Sequence, residues 1–196
     1  MSIESLKGML MDVAPSKSEA IAVWMRSGFN TRNAVWRFEL KDKNVQLELI
    51  HPFKNNLSPN IKLSAYNIDT KNEPWKLPHE TLWKITSANL DKLNYIYVFP
   101  NPSDKKSLNN LSDIDGLINK CLDILLSRSI TSVSFILIPA SPSGVNNEAD
   151  ADVMSAKQMI SSIKNWQSKN NNKVHVYLVD RVDGFKKVLD GLRIYP

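Results

Sequence analysis

The sequence predicts an α/β fold: a three-layer α-β-α sandwich on a mixed sheet. Three observations predict it. From residue 95 onward, apolar runs alternate with amphipathic helical faces in the order β-α-β-α-β-α. Helices between successive strands impose parallel neighbours and right-handed crossovers. Upstream, residues 36–41 and 45–49 alternate apolar and polar about the turn Lys41-Asp42-Lys43-Asn44, which reads as an antiparallel hairpin with one wet face. Hydrophobic residues make up 42% of the 196 positions, enough for a packed core. One domain spanning 1–196 is expected, with N-terminal helices and the hairpin in 1–94 and the βαβαβα half in 95–196.

Taken in order, Ile3, Leu6, Leu10 and Val13 recur at helical spacing until Pro15 interrupts. Ser16 or Ser18 is placed to cap a second helix carrying Ile21, Trp24 and Met25, which ends near Gly28. After the hairpin, Pro52, Pro59, Pro74 and Pro78 mark loops around a strand at 61–66, and a short strand is expected at 82–86. Residues 95–99 form a strand that Pro100-Asn101-Pro102 cuts off. Ile114, Leu117, Ile118, Cys121, Leu122 and Leu125 make a complete apolar helix face, with Ser112 or Asp113 as cap. A buried strand at 132–138 follows. Val153, Ala156, Met159, Ile160, Ile163 and Trp166 then give a second apolar helix face, which Asn170-Asn171-Asn172 ends. Residues 174–179 read as a strand and 182–192 as a last helix.

Composition excludes several classes. No run approaches the ~20 apolar residues of a membrane span. Met1 to Val13 lacks the apolar block of a secretory signal. Cys121 is the single cysteine, so no disulfide framework exists, and a cytoplasmic location is expected. The formal charge of +5 is spread evenly with no basic block, so nucleic acid is not the expected partner. His51, His79 and His175 lack metal-ligand spacing. Cys121 falls on an apolar helix face, as a core residue would. No Gly-x-Ser-x-Gly elbow is present. No metal or cofactor is implied. Trp75, beside Pro74, is the tryptophan expected to reach a partner surface.

The segment 131–147 carries the functional argument. An apolar run stops at Pro139, and a loop of small residues leads into a helix. Strand, small-residue turn, helix is how an open α/β sheet presents backbone N–H groups to an anion. Ser141, Ser143 and Gly144 leave the backbone accessible, and glycine takes positive φ without strain. The loops 100–112, 139–149 and 180–183 would share the carboxyl edge of the strands. Asp180 and Asp183 are placed either to meet a ribose or amino group or to cap the last helix. Glu148, Asp150 and Asp152 oppose an anion, since they already complement the helix N-terminus.

Residues 93–192 resemble the C-terminal half of a macro domain, the ADP-ribose-recognition fold. The likeness rests on Tyr95 to Phe99, the helix 114–126, Ile138-Pro139-Ala140, the loop Ser141-Pro142-Ser143-Gly144-Val145, and Val176 to Asp180. It implies that Ser141, Ser143, Gly144, Val145 and Asn146 line the diphosphate and distal-ribose part of a pocket. It also implies a ligand such as ADP-ribose or a related nucleotide diphosphate. Removal of ADP-ribose would use a water held near the distal ribose to attack the anomeric carbon. No general base is assigned. The family's first-half motifs are degenerate here. The nearest match to its Asn-Ala-Ala-Asn turn is Leu63-Ser64-Ala65-Tyr66-Asn67, no Gly-Gly-rich loop exists among only six glycines, and Val179 stands where an aromatic often faces adenine. The alternative is therefore a macro-like scaffold without ligand that acts as a protein-interaction, inhibitor or immunity partner.

Overall fold

A computed structural model describes residues 3–24, 46–52, 66–67, 80–86, 90–100, 107–181 and 183–194. The elements in chain order are β1 (Ile3–Lys7), α1 (Leu10–Lys17), β2 (Ala20–Val23), β3 (Gln46–Pro52), β4 (Tyr66–Asn67) and β5 (Thr81–Ile85), then β6 (Tyr95–Val98), α2 (Asp113–Ser127), β7 (Ser132–Phe135), α3 (Glu148–Lys169), β8 (His175–Asp180) and α4 (Gly184–Ile194). The strands form one eight-stranded sheet in the order β1-β8-β7-β2-β6-β5-β3-β4. Pairing is parallel from β1 to β6 and antiparallel from β6 to β4. The mixed α/β sheet agrees with the sequence reading. The βαβαβα order after residue 95 is observed.

The sheet is covered on both sides, and β2 shows how. Its side chains alternate: Ile21 and Val23 pack with Leu10, Met11 and Ala14 of α1. Ala20, Ala22 and Trp24 belong to the opposite core, with α2, α3 and α4. That period of two assigns one layer to α1 and the other to the three longer helices. The larger core holds Phe99, Phe135, Ile118, Leu122, Ile160 and Trp166, all buried. Each such side chain contributes roughly 1.5–3 kcal/mol on burial. Polar staples lock α2 to α3. Asp115 accepts from Gln158 Nε2 at 2.8 Å and from the Ser162 hydroxyl, and Trp166 Nε1 donates to Asp123 at 2.7 Å.

The N-terminal expectation is corrected. Residues 3–7 form the edge strand β1, parallel to β8 from Ile3↔Val176 to Lys7↔Asp180. The helix begins only at Leu10 and continues two residues past Pro15. The expected second helix is instead β2, buried at all four positions between β7 and β6. A strand covered on both faces reads as a continuous apolar run, and four residues cannot separate it from a helix turn. Ser18 is not a helix N-cap. It closes α1 and bonds the Ser134 hydroxyl at 2.8 Å in the interior. The first hairpin strand at 36–41, most of the strand at 61–66, His79 and Trp75 lie outside the described residues.

Two further boundaries move. The strand expected over 132–138 pairs only to Phe135. Beyond it, α3 side chains satisfy the backbone: Ile138 N–H reaches Met159 Sδ at 3.3 Å, and the Ser155 hydroxyl donates to the Ile138 carbonyl. Val153, expected in the core, is 43% exposed, whereas Ala151, Ala156 and Met159 of the same helix are buried.

Candidate functional site

The five parallel strands end on one edge of the sheet, at Lys7, Val23, Val98, Phe135 and Asp180. Sheets of this kind bind ligands outside that edge. Gly8 makes the first turn there. Its φ of +151° and a Val13 methyl 2.9 Å from where a Cβ would sit both require glycine. Its N–H donates to the Asp180 carbonyl at 2.8 Å, extending the β1–β8 ladder.

The loop after β7 is clamped before it turns. Leu108 bridges Ala140 in parallel fashion. Leu108 N–H donates to the Pro139 carbonyl at 2.8 Å, and Ser141 N–H donates to the Leu108 carbonyl at 2.7 Å. The Ser107 and Ser141 hydroxyls meet at 2.9 Å. A turn over 142–145 follows, closed by Val145 N–H to the Pro142 carbonyl at 3.2 Å. Gly144 takes its third position with φ +86°, the conformation that favours glycine. Asn147 then caps α3, its side-chain oxygen accepting from Ala149 N–H at 3.0 Å. Among the described residues, the N–H groups of Ser143, Gly144 and Asn146 have no hydrogen-bond partner. Nothing lies within 4 Å of a Cβ built on Gly144. Of the loop's expected donors, those of Ser141 and Val145 are engaged internally and three remain open.

A cleft of about 330 Å³ lies between the first turns of α3, which this loop enters, and α4. Leu137, Ala149, Val153, Ala156, Phe185 and Val188 give it apolar walls, with Asp152, Asp180 and Lys187 among its lining. Asp180 therefore stands across the cleft from α3, on the strand neighbouring β7. Its carboxylate accepts from Phe185 N–H at 2.7 Å and so caps α4. Asp183 pairs with Lys7 at 2.7 Å, which holds its carboxyl below the usual range. Burial and the neighbouring Glu148 hold the Asp152 carboxyl above it. Glu148 and Asp150 sit in the first turn of α3, and both are exposed.

Sequence reasoning missed the α4 wall of the cleft and the Leu108 clamp. Phe185 and Val188 carry the signal for the wall in their i, i+3 spacing; nothing marks Leu108 ahead of the fold. The nearest match to the Asn-Ala-Ala-Asn turn does not reach this edge. Tyr66 and Asn67 form β4, the outermost antiparallel strand, and residues 63–65 lie outside the described residues. His175 is far from the loop and sits 3.1 Å from Glu4 of β1. Cys121 is buried, and its thiol pKa is pushed up by that burial. Among the described residues, no helix is long and apolar enough to cross a membrane.

No protein-family model and no curated protein matches the chain. Solved structures do. The Trypanosoma brucei macrodomain in complex with ADP-ribose aligns over 98% of this chain and 69% of its own, with a TM-score of 0.57 at 9% identity. The same macrodomain in complex with ADP aligns over 95% of this chain and 68% of its own, with a TM-score of 0.54 at 10% identity. The likeness thus extends beyond the C-terminal half that the sequence motifs cover. Strand order, layers and overall course together give this chain a macrodomain-like fold.

Proposed function

We propose that this chain binds ADP-ribose or a related nucleotide diphosphate at the carboxyl edge of its parallel strands. One observation carries the reading: among the described residues, three N–H groups, on Ser143, Gly144 and Asn146, stand open on a clamped loop that leads into α3, whose first turns line a partly apolar cleft. Such a nest of amides accepts a diphosphate, and the cleft is a place for an apolar base face. Ser141 and Val145 shape the loop, and Asp180 offers an acceptor across the cleft. The macrodomain fold supports the reading, since the T. brucei protein is described with ADP-ribose and with ADP. The ligand's charge also suits a chain of net charge +5. Chemistry on the ligand is not part of this proposal.

Calorimetry and thermal shift with ADP-ribose test it. Ligand at 100 times Kd stabilises by about 2.7 kcal/mol, a rise of about 5–11 °C for a chain of this size. No shift and no heat at millimolar ligand refutes it.

A second reading, a protein-binding scaffold without ligand, draws on a specific surface. Val153 and Met154 are exposed at 43% and 37% beside Glu148, Asp150 and Asp152. An apolar step ringed by acids would suit a basic partner surface. Failure with ADP-ribose, together with a partner whose binding Met154→Asp abolishes, selects this reading.

A further inference from the structure

We infer that the cleft between α3 and α4 is a self-association surface, on which a second copy of this chain docks across a two-fold axis. The inference goes beyond the nucleotide reading, and its test needs no nucleotide.

The cleft is mainly apolar, with Leu137, Val153, Phe185 and Val188 in its lining. The apolar surface continues out of it along α3, where Val153 and Met154 are the large hydrophobic side chains left exposed among the described residues. An exposed apolar step beside an apolar cleft marks a contact surface.

Charge identifies what covers it. The α3 wall is acidic: Glu148 and Asp152 stand one turn apart with Asp150 between them, and Glu148 and Asp150 are exposed. The α4 wall is basic: Lys187 lines the cleft, Lys186 is beside it in the first turn, and both are exposed. Both helices start at the carboxyl ends of neighbouring parallel strands, so their first turns lie level. Farther along, the signs reverse on both walls, with Lys157 exposed on α3 and Asp190 exposed on α4. The two walls therefore carry opposite charge at each level. A two-fold axis running along the cleft exchanges them. It brings Glu148 and Asp152 of each copy to Lys186 and Lys187 of the other, and Lys157 to Asp190. A surface complementary to itself in this way is what a closed dimer requires.

Sedimentation velocity of the native chain from micromolar to millimolar concentration should show a monomer–dimer equilibrium that weakens as salt is raised. Each charge pair forms twice in a two-fold dimer, so Glu148→Lys and Lys187→Glu should each raise the dimer Kd about tenfold. The double variant restores opposite charges and should return Kd to near the native value, a rescue that a merely structural role of either residue would not give. Dilution of the native chain should shift the methyl resonances of Val153 and Val188, a readout that needs no variant. A chain that stays monomeric at millimolar concentration overturns the inference and leaves the face to another partner. Dimers that both single reversals leave intact, a double variant that stays dissociated, or dilution shifts confined to other surfaces also overturn it. None of these outcomes touches the nucleotide reading, which the ADP-ribose titration decides.

Discussion

Gly144 separates the loop's conformation from its use. Its φ of +86° occupies the third position of the turn closed by Val145 N–H and the Pro142 carbonyl, and among the described residues nothing beyond its chain neighbours lies within 4 Å of a Cβ placed there. Gly144→Ala therefore adds no clash and costs only backbone strain, about 1 kcal/mol. The melting temperature should fall by about 2–4 °C. Gly144→Glu carries the same strain and adds one negative charge. At about 5 Å from a phosphate, with an effective dielectric constant near 20, the repulsion is about 3 kcal/mol. The loop is open to solvent, and discounting for that exposure leaves about 1–2 kcal/mol, or about 5- to 30-fold in Kd. Calorimetric titration of ADP-ribose into the native, Ala and Glu proteins measures this. The Ala-to-Glu ratio isolates charge from strain, because both share the backbone cost. A Glu variant that binds as tightly as the Ala variant would show that no anion sits at the turn. The reasoning from open amides would then be refuted even if the chain binds the nucleotide elsewhere.

Asp152→Asn should tighten ADP-ribose by about two- to fivefold, the scale of one charge near a helix N-terminus; weaker binding in the same titration would mean that the carboxylate contacts the ligand. Because burial and Glu148 raise the folded-state pKa of Asp152, its stabilising contribution is complete below the unfolded value and is lost as pH rises through the raised one. The Asn variant should therefore gain melting temperature, relative to native, on the neutral side of that range. Asp183 titrates in the opposite sense: Lys7 lowers its pKa, so the pair's contribution is present above the ordinary carboxylate range and is lost as pH falls through the depressed value. Lys7→Met should flatten that acid limb by lowering the melting temperature on its neutral side, where the pair contributes, with little change below it, in melts taken across the range. Gly8→Ala should destabilise by about 1–3 kcal/mol, read as a lower denaturant midpoint, since the new methyl would meet the Val13 side chain at 2.9 Å in a positive-φ turn; a midpoint within error of native would mean that the turn relaxes freely.

The second half of the fold was legible because its signals are long. The face from Ile114 to Leu125 repeats through three turns, and Ile118, Cys121, Leu122 and Leu125 are all fully buried. The N-terminal segment gave a misleading period. Ile3, Leu6 and Leu10 are spaced as on a helix, yet Ile3 and Leu6 lie on an edge strand and Leu10 opens the helix after it. An edge strand of five residues carries few apolar positions, so its pattern is short enough to merge with its neighbour's. In the candidate site, the loop and the capping role of Asp180 could be read locally from small residues and from an Asp placed before a helix. The α4 wall could not, because Phe185 shares a cleft with Leu137 and Val153 only through the order of β7 and β8 in the sheet.

The charges at the start of α3 bear on which reading holds. A helix N-terminus carries roughly +0.5 of an elementary charge. Glu148, Asp150 and Asp152 more than offset it, and an anion placed directly on the helix axis would be repelled. The open amides, however, belong to residues 143, 144 and 146, before the Asn147 cap. They point from a turn that Leu108 and Ser107 hold in place, so their donor capacity does not depend on the helix dipole. Carboxylates on the next turn would then act across the cleft instead of within the nest. There they disfavour a second anionic group and favour hydroxyl or amino groups that can donate to them. A nucleotide diphosphate extended by ribose meets both conditions, with phosphate at the turn and donors toward the acids. Inorganic pyrophosphate meets only the first, so on this argument it should bind more weakly than ADP-ribose by more than the loss of apolar contact alone.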